Sequence, residues 1–116
     1  MKLTLKAGEG DLVRVAISGE VSQRHILPAD DALANLLGAE CYGRRILLDL
    51  GDVRMIDSSG VGWLLGCEKR FRAHGGTMVL HSFSPIAREI LSVLKMHLVF
   101  KMAEDEAAAR DLAASP

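Results

Sequence analysis

The chain has 116 residues, 49% of them hydrophobic, and a formal net charge of −1. That length favours one domain able to bury roughly two thirds of its unfolded surface, so disorder is a poor reading. Lys and Arg are scattered among Asp and Glu with no basic stripe, and one Trp, one Tyr and three Phe leave little to stack on bases, which argues against nucleic acid as a partner.

The N-terminus, MKLTLKAGEGD, turns charged too soon for a signal peptide. Residues 3–5 and 12–17 have strand character and are joined through Gly8-Glu9-Gly10-Asp11, a strong hairpin signal. Gly19-Glu20-Val21 ends the second strand. Leu33, Leu36 and Leu37 then recur at helical spacing, which predicts a helix from about Pro28, whose fixed φ suits a first turn, to Gly38. Residues 46–50, ILLDL, form a nearly continuous apolar run expected of a central strand. Residues 51–56 read as a connection, and a helix follows to about His74, stopped by Gly75-Gly76.

A strand is predicted over 77–81, and Ser84-Pro85 opens another helix, with Ser84 as cap and Pro85 in its first turn. Ile86, Ile90, Leu91 and Leu94 make its apolar stripe. Residues 97–100 read as a short last strand and 104–112 as a final Ala-rich helix whose first-turn acids suit the helix dipole. After the hairpin, strand and helix alternate, so the expected class is α/β, one domain over residues 1–116 with a largely parallel sheet. No apolar run approaches the roughly 20 residues of a membrane helix, so direct membrane insertion is not expected. Cys41 and Cys67 read as reduced thiols, and the expected compartment is the cytoplasm.

The stretch that organises this pattern is RILLDLGDVRMIDSSGVGWLLG, in which a strand runs into the turn Asp57-Ser58-Ser59-Gly60 and a helix starts at once. The first N–H groups of a helix lack partners and carry positive potential, so a serine there can be a cap, an anion contact or a modification site. A dinucleotide loop is disfavoured, because the glycine spacing is G-x-G-x-x-x-G and the segment 80–84, LHSFS, lacks the expected acid. A nucleophilic serine needs a base in reach and the G-x-S-x-G elbow is absent, so no catalytic residue is assigned. A plain helix cap by Asp57 or Ser58 needs no function and contributes about 1 kcal/mol. A serine switch is compatible with that cap: phosphate adds roughly −1.5 to −2 charge, which a helix N-terminus tolerates and a docked partner does not.

The run from Leu48 to Gly66, L-x-L-x-x-V-x-x-I-D-S-S-G-V-G-x-L-L-G, closely resembles the signature of STAS domains, specifically the bacterial anti-sigma factor antagonists. Ile17-Ser18-Gly19-Glu20-Val21 upstream, and Gly75-Gly76-Thr77-Met78-Val79-Leu80 with Ser84-Pro85 downstream, extend the resemblance over nearly the whole chain. It implies an N-terminal hairpin feeding a mixed, largely parallel sheet with helices mainly on one face. It also implies a non-enzymatic protein that binds an anti-sigma factor, often a serine protein kinase, and so frees a sigma factor. The first serine of D-S-S-G, here Ser58, is the implied phosphoacceptor, with a serine phosphatase restoring it; the kinase brings its own ATP and Mg²⁺, and no cofactor is expected in this chain. In this chain Val21 is followed by Ser22-Gln23-Arg24-His25, where the family commonly has an Asp. The alternative within the family is a subunit of a signalling scaffold or membrane-transporter complex, acting through the same surface without phosphorylation.

Around Ser58, Asp57 is expected to cap the helix and fix the turn, and Ser59 and Gly60 to keep the partner's approach uncrowded. On the following helix Val61, Leu64, Leu65 and Phe71 share one stripe and Trp63, Cys67, Arg70 and His74 the other side. Trp63 is then either covered by another element or an exposed binding anchor one turn from Ser58. Cys67 with His74 is too sparse for a zinc site, and Asp49, Asp52 and Asp57 read as a solvated strand end, so no metal site is assigned. Met55, Met78, Met96 and Met102 read as core filling.

Overall fold

A computed structural model describes residues 1–10, 12–22 and 31–114. The sheet grows outward from the hairpin, in which β1 (Lys2–Glu9) pairs antiparallel with β2 (Leu12–Val21) across a tight turn where Gly10 has φ +63°. Next come β3 (Arg45–Ile56), β4 (Thr77–His81) and β5 (Lys101–Ala103), each parallel to the strand before it, in spatial order β1-β2-β3-β4-β5. Parallel neighbours require crossovers, which α1 (Ala32–Leu37), α2 (Ser58–Ala73) and α3 (Pro85–Val93) supply; α4 (Glu106–Ala114) ends the described chain.

Strand residues alternate between two apolar layers, as the period of two demands. Val13, Val15 and Ile17 of β2, Ile46, Leu48 and Leu50 of β3, and Met78 and Leu80 of β4 enter the larger core with residues of α1, α2 and α3. The intervening Leu47 and Val79 meet Ala103, Ala109 and Ala113 under α4. Three helices thus cover one face and one short Ala-rich helix covers the other. Alanines let α4 lie close to the sheet, and Arg14 on β2 reaches it through an ion pair to Glu106 at 3.1 Å.

Several elements differ from the expectation. The connection expected over 51–56 is strand: β3 continues to Ile56 because β2 runs on to Val21 and supplies partners, Ser18 to Asp52 through Val21 to Ile56. Gly51-Asp52 disguises this in sequence, since both residue types are poor strand formers. The helix expected from Pro28 is observed as α1, capped by the Asp31 carboxylate on the Ala34 N–H at 3.0 Å; residues 28–30 lie outside the described residues. The strand expected over 97–100 is not formed. Instead Lys95 turns left-handed at φ +56°, a 3-10 turn spans Met96–Leu98, and pairing begins only at Lys101. A four-residue apolar run cannot by itself distinguish strand from turn. Leu94 and Met55, expected inside, are 45% and 50% exposed.

Candidate functional site

The site begins where β3 ends against β2. The Asp57 N–H donates to the Val21 carbonyl at 3.3 Å, carrying the sheet pattern one residue past Ile56. Asp57 keeps extended backbone (φ −106°, ψ 179°) while its carbonyl accepts the first helical bond from the Val61 N–H at 3.0 Å. Its carboxylate turns back over the helix, where one oxygen accepts the Gly60 N–H at 2.8 Å and the Ser59 hydroxyl at 2.6 Å. This is an N-cap, and its negative charge lies at the positive end of a sixteen-residue helix.

Ser58 is the first residue of α2 and is exposed, whereas its neighbours turn inward. Ser59 is half-buried, and its oxygen lies 3.2 Å from that of Ser22, a residue only 3% exposed at the end of β2. Gly60 is buried against the strand, and a Cβ there would lie 2.0 Å from the Val21 carbonyl oxygen. The glycine is therefore required by close helix–strand packing. The same packing leaves Ser58 as the outward-facing member of Asp57-Ser58-Ser59-Gly60.

Trp63 is buried at 7% exposure, which decides between its two readings: another element covers it, and it is not a surface anchor. The buried arc of α2 comprises Gly60, Val61, Trp63, Leu64, Cys67 and Phe71, rotated and widened from the expected stripe. The cause is a second contact. Besides the sheet, α2 meets the 3-10 turn Ala39–Gly43, where the Tyr42 and Phe71 rings pack edge to face at 4.9 Å. Tyr42 also donates its hydroxyl to Asp31, and Arg70 lies 3.5 Å from the other oxygen of that carboxylate, joining α1, the 3-10 turn and α2.

The remaining residues singled out in sequence do other work. Cys67 is fully buried, and burial pushes its thiol up to about 12. His74 is exposed, with Nδ1 2.8 Å from the Arg70 carbonyl. Asp49 accepts the Gly51 N–H at 2.8 Å and pairs with Lys6 at 3.5 Å, while Asp57 is committed to its cap. Among the described residues no group of three His, Cys, Asp or Glu side chains is arranged to hold a metal ion. Met78 is core and Met96 and Met102 pack against it, but Met55 faces solvent three residues before Ser58. Sequence reasoning missed Met55 as a member of this surface, because its position depended on recognising 51–56 as strand; Ser22, singled out only as the start of a segment departing from the family pattern, lies buried behind Ser59.

A small sheet with three helices on one face, and a capped helix presenting one serine beyond the end of a central strand, define a class. The family model described as "Mlab, STAS domain" matches residues 5–101, and the chain belongs to the STAS domain family. A relative from Bordetella bronchiseptica, named as a candidate anti-sigma factor antagonist, BtrV, is 31% identical over 110 residues, covering 94% of this chain and 91% of its own. Among solved structures, a candidate anti-sigma factor antagonist of Thermotoga maritima superposes with TM-score 0.80 at 21% identity, over 97% of this chain and 95% of the other. The Bacillus cell fate determinant SpoIIAA, in its phosphorylated form, superposes with TM-score 0.64 at 22% identity, over 96% and 99% of the two chains. The fold is thus that of the anti-sigma factor antagonists. Among the described residues no helix is long and apolar enough to cross a membrane.

Proposed function

We propose that this protein is an anti-sigma factor antagonist that docks on a kinase-type anti-sigma factor through the turn at the start of α2 and is switched off by phosphorylation of Ser58. One observation carries the reading: the Ser58 hydroxyl is exposed at the first position of a helix whose cap, second serine and glycine are all engaged inward. Phosphate there would lie in water at the positive N-terminal end of α2, whose dipole offsets repulsion from the Asp57 carboxylate, so the fold has little to lose. A partner packed against the small hydroxyl would meet a dianion. The kinase supplies nucleotide and metal, and this chain supplies the acceptor and the surface around it, Asp57 and Ser59 holding the turn.

The relative named as an antagonist and the fold shared with SpoIIAA support this reading. The test uses the kinase-type anti-sigma factors of the same genome, purified singly and incubated with this protein, ATP and Mg²⁺. Intact mass should show one added phosphate with one of them, lost in Ser58→Ala and retained in Ser59→Ala. Ser58→Asp should weaken that complex by about thirtyfold or more, since a lost desolvated polar contact costs about 2–5 kcal/mol, while the melting temperature stays within about 2 °C. Phosphate on another residue, or a complex indifferent to Ser58→Asp, refutes the switch.

A further inference from the structure

The two faces of the sheet are covered on unequal terms. On one, α1, α2 and α3 send Leu33, Val61, Trp63, Leu64, Phe71 and Leu91 into the larger core. On the other, α4 lies over Leu47 and Val79, and the residues it buries there are the alanines Ala109 and Ala113, with Leu112 half-buried beside them. A methyl group removes far less apolar area from water than a leucine or an aromatic ring, and the free energy of burial follows that area. The two layers have no described residue in common, so the thinner one can come apart without disturbing the other.

At its first residue α4 is tied to the sheet by an ion pair that is itself weak. Arg14 Nη1 donates to both Glu106 oxygens at 3.1 Å, but the two side chains are 27% and 34% exposed, where water and salt screen the attraction. The docked helix also leaves Arg14 Nε buried with no acceptor among the described residues, a cost that vanishes once α4 lifts and water reaches the guanidinium. Glu106 keeps a second cation on its own helix, Arg110 at 3.6 Å, so neither member of the pair is stranded by separation.

The chain just before α4 is pinned independently. Arg88 of α3 grips Glu104 through two bonds, at 2.8 and 2.7 Å, and β5 is paired to β4. The pinned part ends at Glu104–Asp105, a bend that belongs to neither β5 nor α4.

We infer that α4 is a cover that opens as a unit about the Glu104–Asp105 bend while the rest of the domain stays folded, with Arg14 and Glu106 as its latch. Opening bares Leu47 and Val79, an apolar strip on β3 and β4, on the face of the sheet opposite α2. The Ser58 turn belongs to the other layer and keeps both its Asp57 cap and its packing on Val21. The domain thus has a second surface that exists only in a minor population, and whatever binds the strip or the freed helix shifts that population by its differential affinity.

Thiol labelling of Val79→Cys tests this, with Cys67 of α2 as the internal reference and each rate divided by that of the denatured chain. Position 79 should label about tenfold or more faster than Cys67, and its rate should hardly change at low urea, because opening one helix exposes little surface. Ile17→Val, fully buried in the larger core, should speed Cys67 about two- to tenfold and leave position 79 as it was, since that packing survives the opening. Glu106→Gln should speed position 79 about two- to fivefold. A substitution at 79 thins the layer it probes, so hydrogen exchange of the unsubstituted protein supplies a second measurement. Corrected for intrinsic rates, the amides of Ala109 and Arg110 should exchange about tenfold or more faster than those of Leu64 and Cys67. Equal protection of the two layers with one urea slope overturns the inference, as does an Ile17→Val that speeds position 79 as much as Cys67. A Glu106→Gln that leaves position 79 unchanged refutes the latch.

Discussion

Replacing Gly60 by alanine adds one methyl group at the place where α2 lies closest to the sheet. Its Cβ would lie 2.0 Å from the Val21 carbonyl oxygen, about 1.4 Å inside the ordinary 3.4 Å limit, and 2.7 Å from the carbonyl carbon. Neither is the tip of a flexible side chain, so the helix start must lift. Lifting it stretches the Asp57–Val21 backbone bond at 3.3 Å and the Ser59–Ser22 contact at 3.2 Å. Overpacking of this kind costs about 1–3 kcal/mol and each lost hydrogen bond about 0.5–1.5 kcal/mol, against a gain of up to ~1 kcal/mol from helix propensity. The net is a loss of about 2–4 kcal/mol, or about 8–16 °C in melting temperature for a domain of this size. Gly66→Ala is the matched control, because a Cβ there meets nothing within 4 Å and the same helix should gain stability. Urea denaturation followed by far-ultraviolet circular dichroism compares the two midpoints. If Gly60→Ala is as stable as the parent, or moves with Gly66→Ala, the close approach that orients Ser58 is not as described.

Two further outcomes follow from buried titratable groups. His81 is 2% exposed, and burial lowers its pKa below the usual histidine value, opposed by the Asp49 and Glu106 carboxylates that face it. The unfolded chain therefore binds more protons below about pH 6.5, stability falls as pH drops through that range, and His81→Gln should flatten the slope of denaturation midpoint between about pH 7 and 5. An unchanged slope would show that His81 does not carry the dependence. Cys41 and Cys67 are fully buried with thiol pKa values raised by desolvation, so neither should react with a thiol reagent in the native protein and both should react once unfolded. Rapid native labelling of either would contradict the packing of α2 on the 3-10 turn.

Much of this architecture was legible before any coordinates, because its signals are local. Gly8-Glu9-Gly10-Asp11 marked the hairpin, Ser84-Pro85 opened α3, and the run 77–81 coincides with β4 residue for residue. The Asp57 cap was likewise readable, since a carboxylate beside a helix start has few better uses. What failed was of another kind. Residues 51–56 became strand only because β2 extends to Val21, and the burial of Trp63 could not be decided from the helical period alone.

The order of elements, the single-domain α/β class and the placing of Asp57-Ser58-Ser59-Gly60 at a strand-to-helix junction were set by short-range chemistry: turn residues, caps and apolar period. Which of those four residues meets solvent was decided only when β2 came to lie against α2. Sequence periodicity states that a residue has a face, but not what stands opposite it. The Val21 carbonyl, thirty-nine positions away from Gly60, turns the glycine inward and leaves the Ser58 hydroxyl outside.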